Sequence, residues 1–452
     1  MTSLVPISLF GWIFVVVMLF SLMSARRAVL VSFIGAVLFL PQAAITLPGL
    51  PDITKISVTS FSVLLAVALF DTARLLRFRL SWVDLPMLAW CLAPLPSSIV
   101  NGLGVYDGAA GAFSEMFTWG IPYLIGRIYF NDLASLRELS IGILIGGLIY
   151  VPLCLLEIRL SPQLHRWVYG YHQHSFQQTI RFGGYRPMVF MQHGLMVGMW
   201  MTSASLIGVW MWKTGALRHL LGVPMALLVP VQLATTVLCK STAALVLLIG
   251  GLFLLFVNRW ARLSLLIACF AAIPPAYVTA RVRGYWSGQQ LVTLAQRIDM
   301  ERAESLSTRF ETETLLADKA MQRPAFGWGR WGRWRLYDEY GRDITTSDSL
   351  WIIALGETGV VGLAALLAAL VLPVWLALKR VPAGQWCLPA AAPLAALTMV
   401  VALYAMDNLL NAMLNPIYVL ALGGISGYFV LSRHGAGAVE PKQLLTARLF
   451  GA

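Results

Sequence analysis

A chain of 452 residues that is 58% hydrophobic and only 12% charged has too little polar surface to close a water-soluble globule, which excludes a cytosolic enzyme or a free-standing nucleic-acid-binding domain. Apolar runs of about 18 to 22 residues recur along most of its length, each enough to cross a hydrocarbon core of about 30 Å as a helix. The formal net charge of +12 therefore reads first as membrane topology. Its five cysteines lie in or beside apolar runs with no CxxC or Cys/His spacing, so neither a disulfide framework nor a metal site is expected, and no cofactor is implied.

The first apolar run has its Arg26 and Arg27 behind it rather than a basic segment ahead of it, which reads as an uncleaved first span. Spans are expected at about 5–24, 29–47, 55–73, 83–100, 112–130, 138–157, 188–212, 220–238, 242–257, 263–280, 349–378, 386–405 and 412–431. Lys and Arg in the short connections and the tail (Arg26 and Arg27; Arg74, Arg77 and Arg79; Arg137; Lys213 and Arg218; Arg259 and Arg262; Lys379 and Arg380; Arg433, Lys442 and Arg448) then fall on one side, which the positive-inside rule makes cytoplasmic. The fold class expected is an all-α integral membrane protein with about 12–13 transmembrane helices and one large helical extracytoplasmic loop. Its divisions are an N-terminal bundle of about ten spans over 1–280 with a small extracytoplasmic loop at 158–187, the large loop at 281–348, three C-terminal spans over 349–431, and a cytoplasmic tail at 432–452.

The large insertion holds ten Arg, one Lys and ten Asp or Glu, so its arginines serve specific contacts or internal pairs rather than a bulk field. Residues 289–322 read as helical, with Thr308 to Glu311 fitting a capping box, Phe310, Leu315, Leu316 and Met321 as an apolar face, and Pro324 closing the segment. "FGWGRWGRW" then breaks regularity.

Four groups carry candidate chemistry. Arg181 and Arg186 sit with glycines and a proline where the smaller loop re-enters the membrane, and guanidinium forks suit phosphate oxygens. Arg127 and Lys240 fall at membrane depth or its boundary, where a cation faces a polar partner or a cavity, or snorkels to the interface. Arg309, Arg330 and Arg333 are interleaved along the insertion with Trp328 and Trp331, whose faces either stack on sugar rings or form an interfacial belt. Asp348, at the mouth of a span, is placed either to take a proton from a hydroxyl or to cap the following helix.

At these residues the sequence resembles the O-antigen ligase and polymerase superfamily, bacterial membrane glycosyltransferases of the GT-C type. The matching features are Gly126–Arg127 at the end of a span, the Arg186–Pro187 re-entry, the "CKST" step at Cys239 to Thr242, "STRF" and "RPAFGWG" in the long loop, and the closing "SDSLWIIALGETGVVGL". The resemblance implies a GT-C-like fold in a bacterial inner membrane with the large loop periplasmic and the C-terminus cytoplasmic. It implies inverting, metal-independent transfer of a glycan from undecaprenyl pyrophosphate to an acceptor hydroxyl. Arg127, Arg181, Arg186, Lys240 and Arg309 are then expected at the diphosphate, Asp348 as the base, and Arg330, Arg333, Trp328 and Trp331 at a glycan or interface surface. The expected partners are the lipid-linked glycan, membrane lipid and other polysaccharide assembly proteins, with no nucleic acid. Two positions depart from the family pattern: Asp348 stands where its ligases carry a histidine, which favours polymerisation over ligation, and Lys240 replaces a usual arginine. A glycolipid flippase or a non-enzymatic scaffold of polysaccharide export would share the same span count.

Overall fold

The computed structural model describes residues 2–46, 51–261, 264–297, 300–345 and 348–433. Apart from three two-residue antiparallel pairs, the regular structure is helical, and every expected span falls on helix. Six helices are long and apolar enough to cross a membrane: Leu4–Leu22, Leu133–Leu160, Gly194–Lys213, Thr242–Ala261, Leu265–Val282 and Leu350–Arg380. A seventh arises if Trp82–Leu92 and Pro94–Val100, bent by 40°, form one span. The protein is thus an all-α multi-pass membrane protein. The remaining expected spans are shorter helices such as Lys55–Phe70, Met225–Leu238 and Ala392–Asp407. The second expected span is helical only over Ala25–Phe39; beyond it Ala44–Ile45 pairs with Ile53–Thr54. The cytoplasmic tail expected at 432–452 lies almost wholly outside the described residues.

Polar contacts sort the connections to two ends. The Leu133–Leu160 helix has 28 residues and so extends about 42 Å. At its start Arg26 lies 3.5 Å from Asp132 and 3.3 Å from Glu138, Arg137 donates to the Ala216 carbonyl, and Arg259 donates to that of Lys213. At its far end Glu157 accepts from the backbone N–H groups of Leu164, Met188 and Val189. The basic turns therefore share one end, and the 158–187 loop lies at the other.

The insertion is pinned to this bundle from its first residue. The helix Met300–Ala320 runs straight through Thr308, whose hydroxyl donates back to the Glu304 carbonyl; the expected cap there does not form, because helix-favouring residues precede it. Phe310 and Leu316 of the expected apolar face are buried, whereas Leu315 and Met321 are exposed. Between the two buried residues sits Glu313, also buried, which lies 3.5 Å from Arg281 and accepts from Tyr277, Ser349 and Trp351.

The two strongest sequence motifs form one structural unit. The Leu350–Arg380 helix is broken at Gly359, and the 324–329 segment enters the break. Trp328 and Gly329 donate to the carbonyls of Gly356 and Glu357, while Val360 and Val361 donate to those of Pro324 and Ala325. The backbone groups that a continuous helix would pair internally are thus satisfied by the loop, as a broken helix at membrane depth requires.

Candidate functional site

At the loop end a cavity of about 520 Å³ is lined by Arg181, Arg186, Arg309 and Asp348 together with Gln178, His193, Thr308 and Asn411. Four separate elements build it. Gln178 lies in the short turn Phe176–Thr179, which leads into the hairpin pairing Ile180–Arg181 with Gly184–Tyr185. Arg186 follows that hairpin, and its backbone N–H closes on the Thr179 carbonyl at 2.7 Å. The insertion helix supplies Ser305, Thr308 and Arg309 from the turns just before Glu313, and the turn after Asp407 supplies Leu410 and Asn411.

Arg309 spans the site, donating to the Leu410 carbonyl at 3.2 Å and to Asp348 Oδ2 at 3.1 Å. The pair is partly solvated, the Asp348 side chain being 41% exposed, so it contributes at most about 1 kcal/mol to stability and is open to exchange with a ligand. Asp348 is not a helix cap: the cap position of Leu350–Arg380 is Ser349, whose hydroxyl is committed to Glu313. Among the described residues no hydrogen bond reaches Asp348 Oδ1.

Lys240, expected at the diphosphate, has another task. Its ammonium donates to the carbonyls of Arg181 and Phe182, and its own carbonyl accepts from Arg186 Nη2. It is a strut behind the hairpin, a compact ammonium shared between two adjacent carbonyls.

Arg127 does not join the site. It grips Asp84 with two hydrogen bonds, Nε to Oδ1 at 2.6 Å and Nη2 to Oδ2 at 3.0 Å, and Tyr123 adds a third to the same carboxylate. The neighbouring Tyr129 donates to Asp71, which shares a pocket with Arg26 and Glu138, so this pair belongs to the basic end. The cation expected at membrane depth is a buried ion pair whose partner lies in an earlier helix. Gly126 beside it lets the Pro416–Arg433 helix approach closely: a Cβ there would stand 2.1 Å from the Leu420 carbonyl oxygen.

The expected glycan surface is likewise paired internally. Arg330 bonds Glu115 and lies 3.9 Å from Glu357, and Arg333 bonds both oxygens of Asp107 at 3.2 and 3.0 Å. The Arg330 and Arg333 pairs fasten the loop to the Val105–Glu115 helix, while Trp328 donates its indole N–H to the Lys319 carbonyl and packs under Arg323, holding the loop to the end of the insertion helix. Only Trp331 projects outward, 56% exposed, at the edge of a second, largely apolar cavity of about 510 Å³. Among the described residues no group of three metal-ligating side chains occurs.

Three contributors escaped sequence reasoning. Lys55 is buried and donates to the carbonyls of Val37 and Phe190, tying the re-entry turn to the bundle. Gln178 carried no signal at all. His193, just before an apolar run, is a helix cap: its Nδ1 accepts from the Leu195 N–H at 3.1 Å.

Burial, then the ring of His174 and the guanidiniums of Arg186, Arg309 and Arg181, push the His193 imidazole down from 6.5 to about 3. The folded protein therefore binds fewer protons here than the unfolded chain between those two values, so stability rises with pH across that window. Acidification from pH 6.5 to 5 is expected to cost about 2 kcal/mol through this residue. Melting curves of the solubilised protein over that range should fall more steeply for wild type than for His193→Asn; equal slopes would refute the assignment.

No protein-family model matches the sequence, and a comparison with curated proteins likewise finds no match.

Proposed function

We propose that the protein is a membrane-embedded glycosyltransferase that uses the Arg181, Arg186, Arg309 and Asp348 cavity to move a glycan from an isoprenoid diphosphate carrier to an acceptor hydroxyl, and that it polymerises or ligates polysaccharide units. The observation that carries the reading is the convergence of three guanidiniums and one carboxylate, from three distant stretches of the sequence, on a single cavity. The guanidiniums hold the diphosphate and stabilise the charge that develops on it as the bond to the anomeric carbon breaks. Asp348 takes the acceptor proton as its oxygen attacks that carbon from the opposite face. In this step the C–O bond to phosphate breaks, the acceptor C–O bond forms, the electron pair leaves with the diphosphate, and the proton rests on the carboxylate. The resemblance of the "RPAFGWG" and "GETGVVG" segments to the O-antigen ligase and polymerase superfamily supports the same class. It also supports a bacterial inner membrane with the loop end periplasmic and the basic end cytoplasmic. Partners on this reading are the lipid-linked glycan, bilayer lipid and other polysaccharide assembly proteins.

The test is reconstitution in proteoliposomes with an isoprenyl-diphosphate-linked oligosaccharide. Asp348→Asn, which keeps the shape and removes the base, is expected to lower transfer by about a hundredfold or more. Undiminished elongation by that variant would remove Asp348 from the reaction, and leaflet exchange without elongation by wild type would make the protein a transporter.

A further inference from the structure

The His193 ring settles the orientation of a neighbour. Its Nδ1 receives the Leu195 N–H, so that nitrogen carries a lone pair and the ring proton is on Nε2. Nε2 lies 3.0 Å from Gln178 Oε1, which must then be the acceptor. The Gln178 amide nitrogen is consequently turned away from His193 with both protons available, and it makes no hydrogen bond to the described residues. Gln178 is exposed and lines the cavity, three residues before Arg181 on the same loop and on the approach to Arg186. Because His193 is buried among cations, the neutral ring and its tautomer are held across the physiological range.

We propose that Gln178 is a diphosphate ligand, donating its amide N–H groups to a phosphoryl oxygen of the bound carrier, and that His193 is a positioning residue that fixes the direction of that amide. The inference rests on the diphosphate reading of the cavity and adds to it a neutral donor. A diphosphate diester carries two negative charges, which the three guanidiniums of the cavity, one of them shared with Asp348, already match. A further contact from an amide then improves geometry without adding charge that would hold the product back. His193 acts as a jig: a ring able to donate from Nδ1 would lose the helix cap, and one lacking Nε2–H would free the amide to turn its oxygen toward the anion.

The experiment is calorimetric titration of the full chain, purified in detergent, with inorganic pyrophosphate and with farnesyl diphosphate, using farnesol as the uncharged control. Gln178→Ala is expected to weaken both diphosphates about tenfold, the loss of a hydrogen bond to a charged acceptor. Gln178→Glu, which puts a carboxylate at the anion, is expected to weaken them further, and farnesol binding should not change. His193→Phe should weaken the diphosphates as much as Gln178→Ala does, and the double variant no more than Gln178→Ala alone. That absence of additivity is a result which mere loosening of the helix start would not produce. If Gln178→Ala and Gln178→Glu bind like wild type while Arg186→Ala loses pyrophosphate, the cavity reading stands and the role of Gln178 is overturned. If the double variant is weaker than either single one, His193 does not act through Gln178. If wild type binds neither diphosphate, both this inference and the function proposed above fail.

Discussion

Glu313→Ala is expected to cost about 3–5 kcal/mol of stability and to release the insertion from the bundle. Its carboxylate accepts from three groups, the Tyr277 and Ser349 hydroxyls and the Trp351 indole N–H, and lies 3.5 Å from the Arg281 guanidinium as its counter-charge. Arg281 is itself bound to the carbonyls of Phe310, Trp286 and Ser287, so it cannot swing out to water when its counter-charge goes. The variant therefore leaves a buried cation unpaired and three donors unmatched. Since Ser305, Thr308 and Arg309 reach the cavity from the preceding turns of the same helix, pyrophosphate binding should fall with the melting temperature. Glu313→Gln keeps the hydrogen-bond acceptor and gives up only the charge, so its loss should be smaller. Limited proteolysis within 281–348 reads the release directly; a variant that melts and digests like wild type would show that the pin holds nothing.

Spans are legible in the sequence because hydropathy is local: twenty consecutive apolar residues announce a helix whatever they pack against. The segregation of basic turns to one end is legible for the same reason. Partners are not. Arg127 advertises a cation at membrane depth, yet nothing near it in the chain identifies Asp84, and so the sequence points it toward a site that lies at the opposite end. Arg330 and Arg333 look like a surface because Glu115 and Asp107 lie far upstream, and only the folded loop brings them together. Arg186, Arg309 and Asp348 stand out one at a time, by re-entry, motif and position; their meeting in one cavity depends on helix packing that no periodicity encodes. Gln178 is the limiting case, since an exposed glutamine acquires meaning only through the ring that orients it. Lys240 is subtler: its place at the end of a span marks a cation with a fixed task, but that task is to hold the Arg181 and Phe182 carbonyls that shape the hairpin, rather than a ligand.

The broken helix predicts the most damaging small substitution. Gly359 has φ 66° and ψ −167°, a region open essentially to glycine alone, and holding alanine there costs about 1–3 kcal/mol. The added Cβ would also stand 2.4 Å from the Ala325 carbonyl oxygen, backbone that cannot yield without breaking the four hydrogen bonds between the 324–329 segment and Gly356 to Val361. Gly359→Ala should therefore expel the segment, and with it the Arg330 and Arg333 pairs that depend on its path. Since groups left unsatisfied at membrane depth are expensive, the protein is expected to accumulate poorly and to lose monodispersity on gel filtration. Gly250→Ala is the matched control: that glycine lies in the Thr242–Ala261 helix with open space around it, and alanine there should be neutral or stabilising by up to about 1 kcal/mol. If Gly359→Ala matches Gly250→Ala in yield, elution and resistance to protease at the 323–335 arginines, the loop does not depend on the break. The expected divergence between two identical chemical changes isolates backbone geometry as the reason the long loop and the helix behind it share one motif.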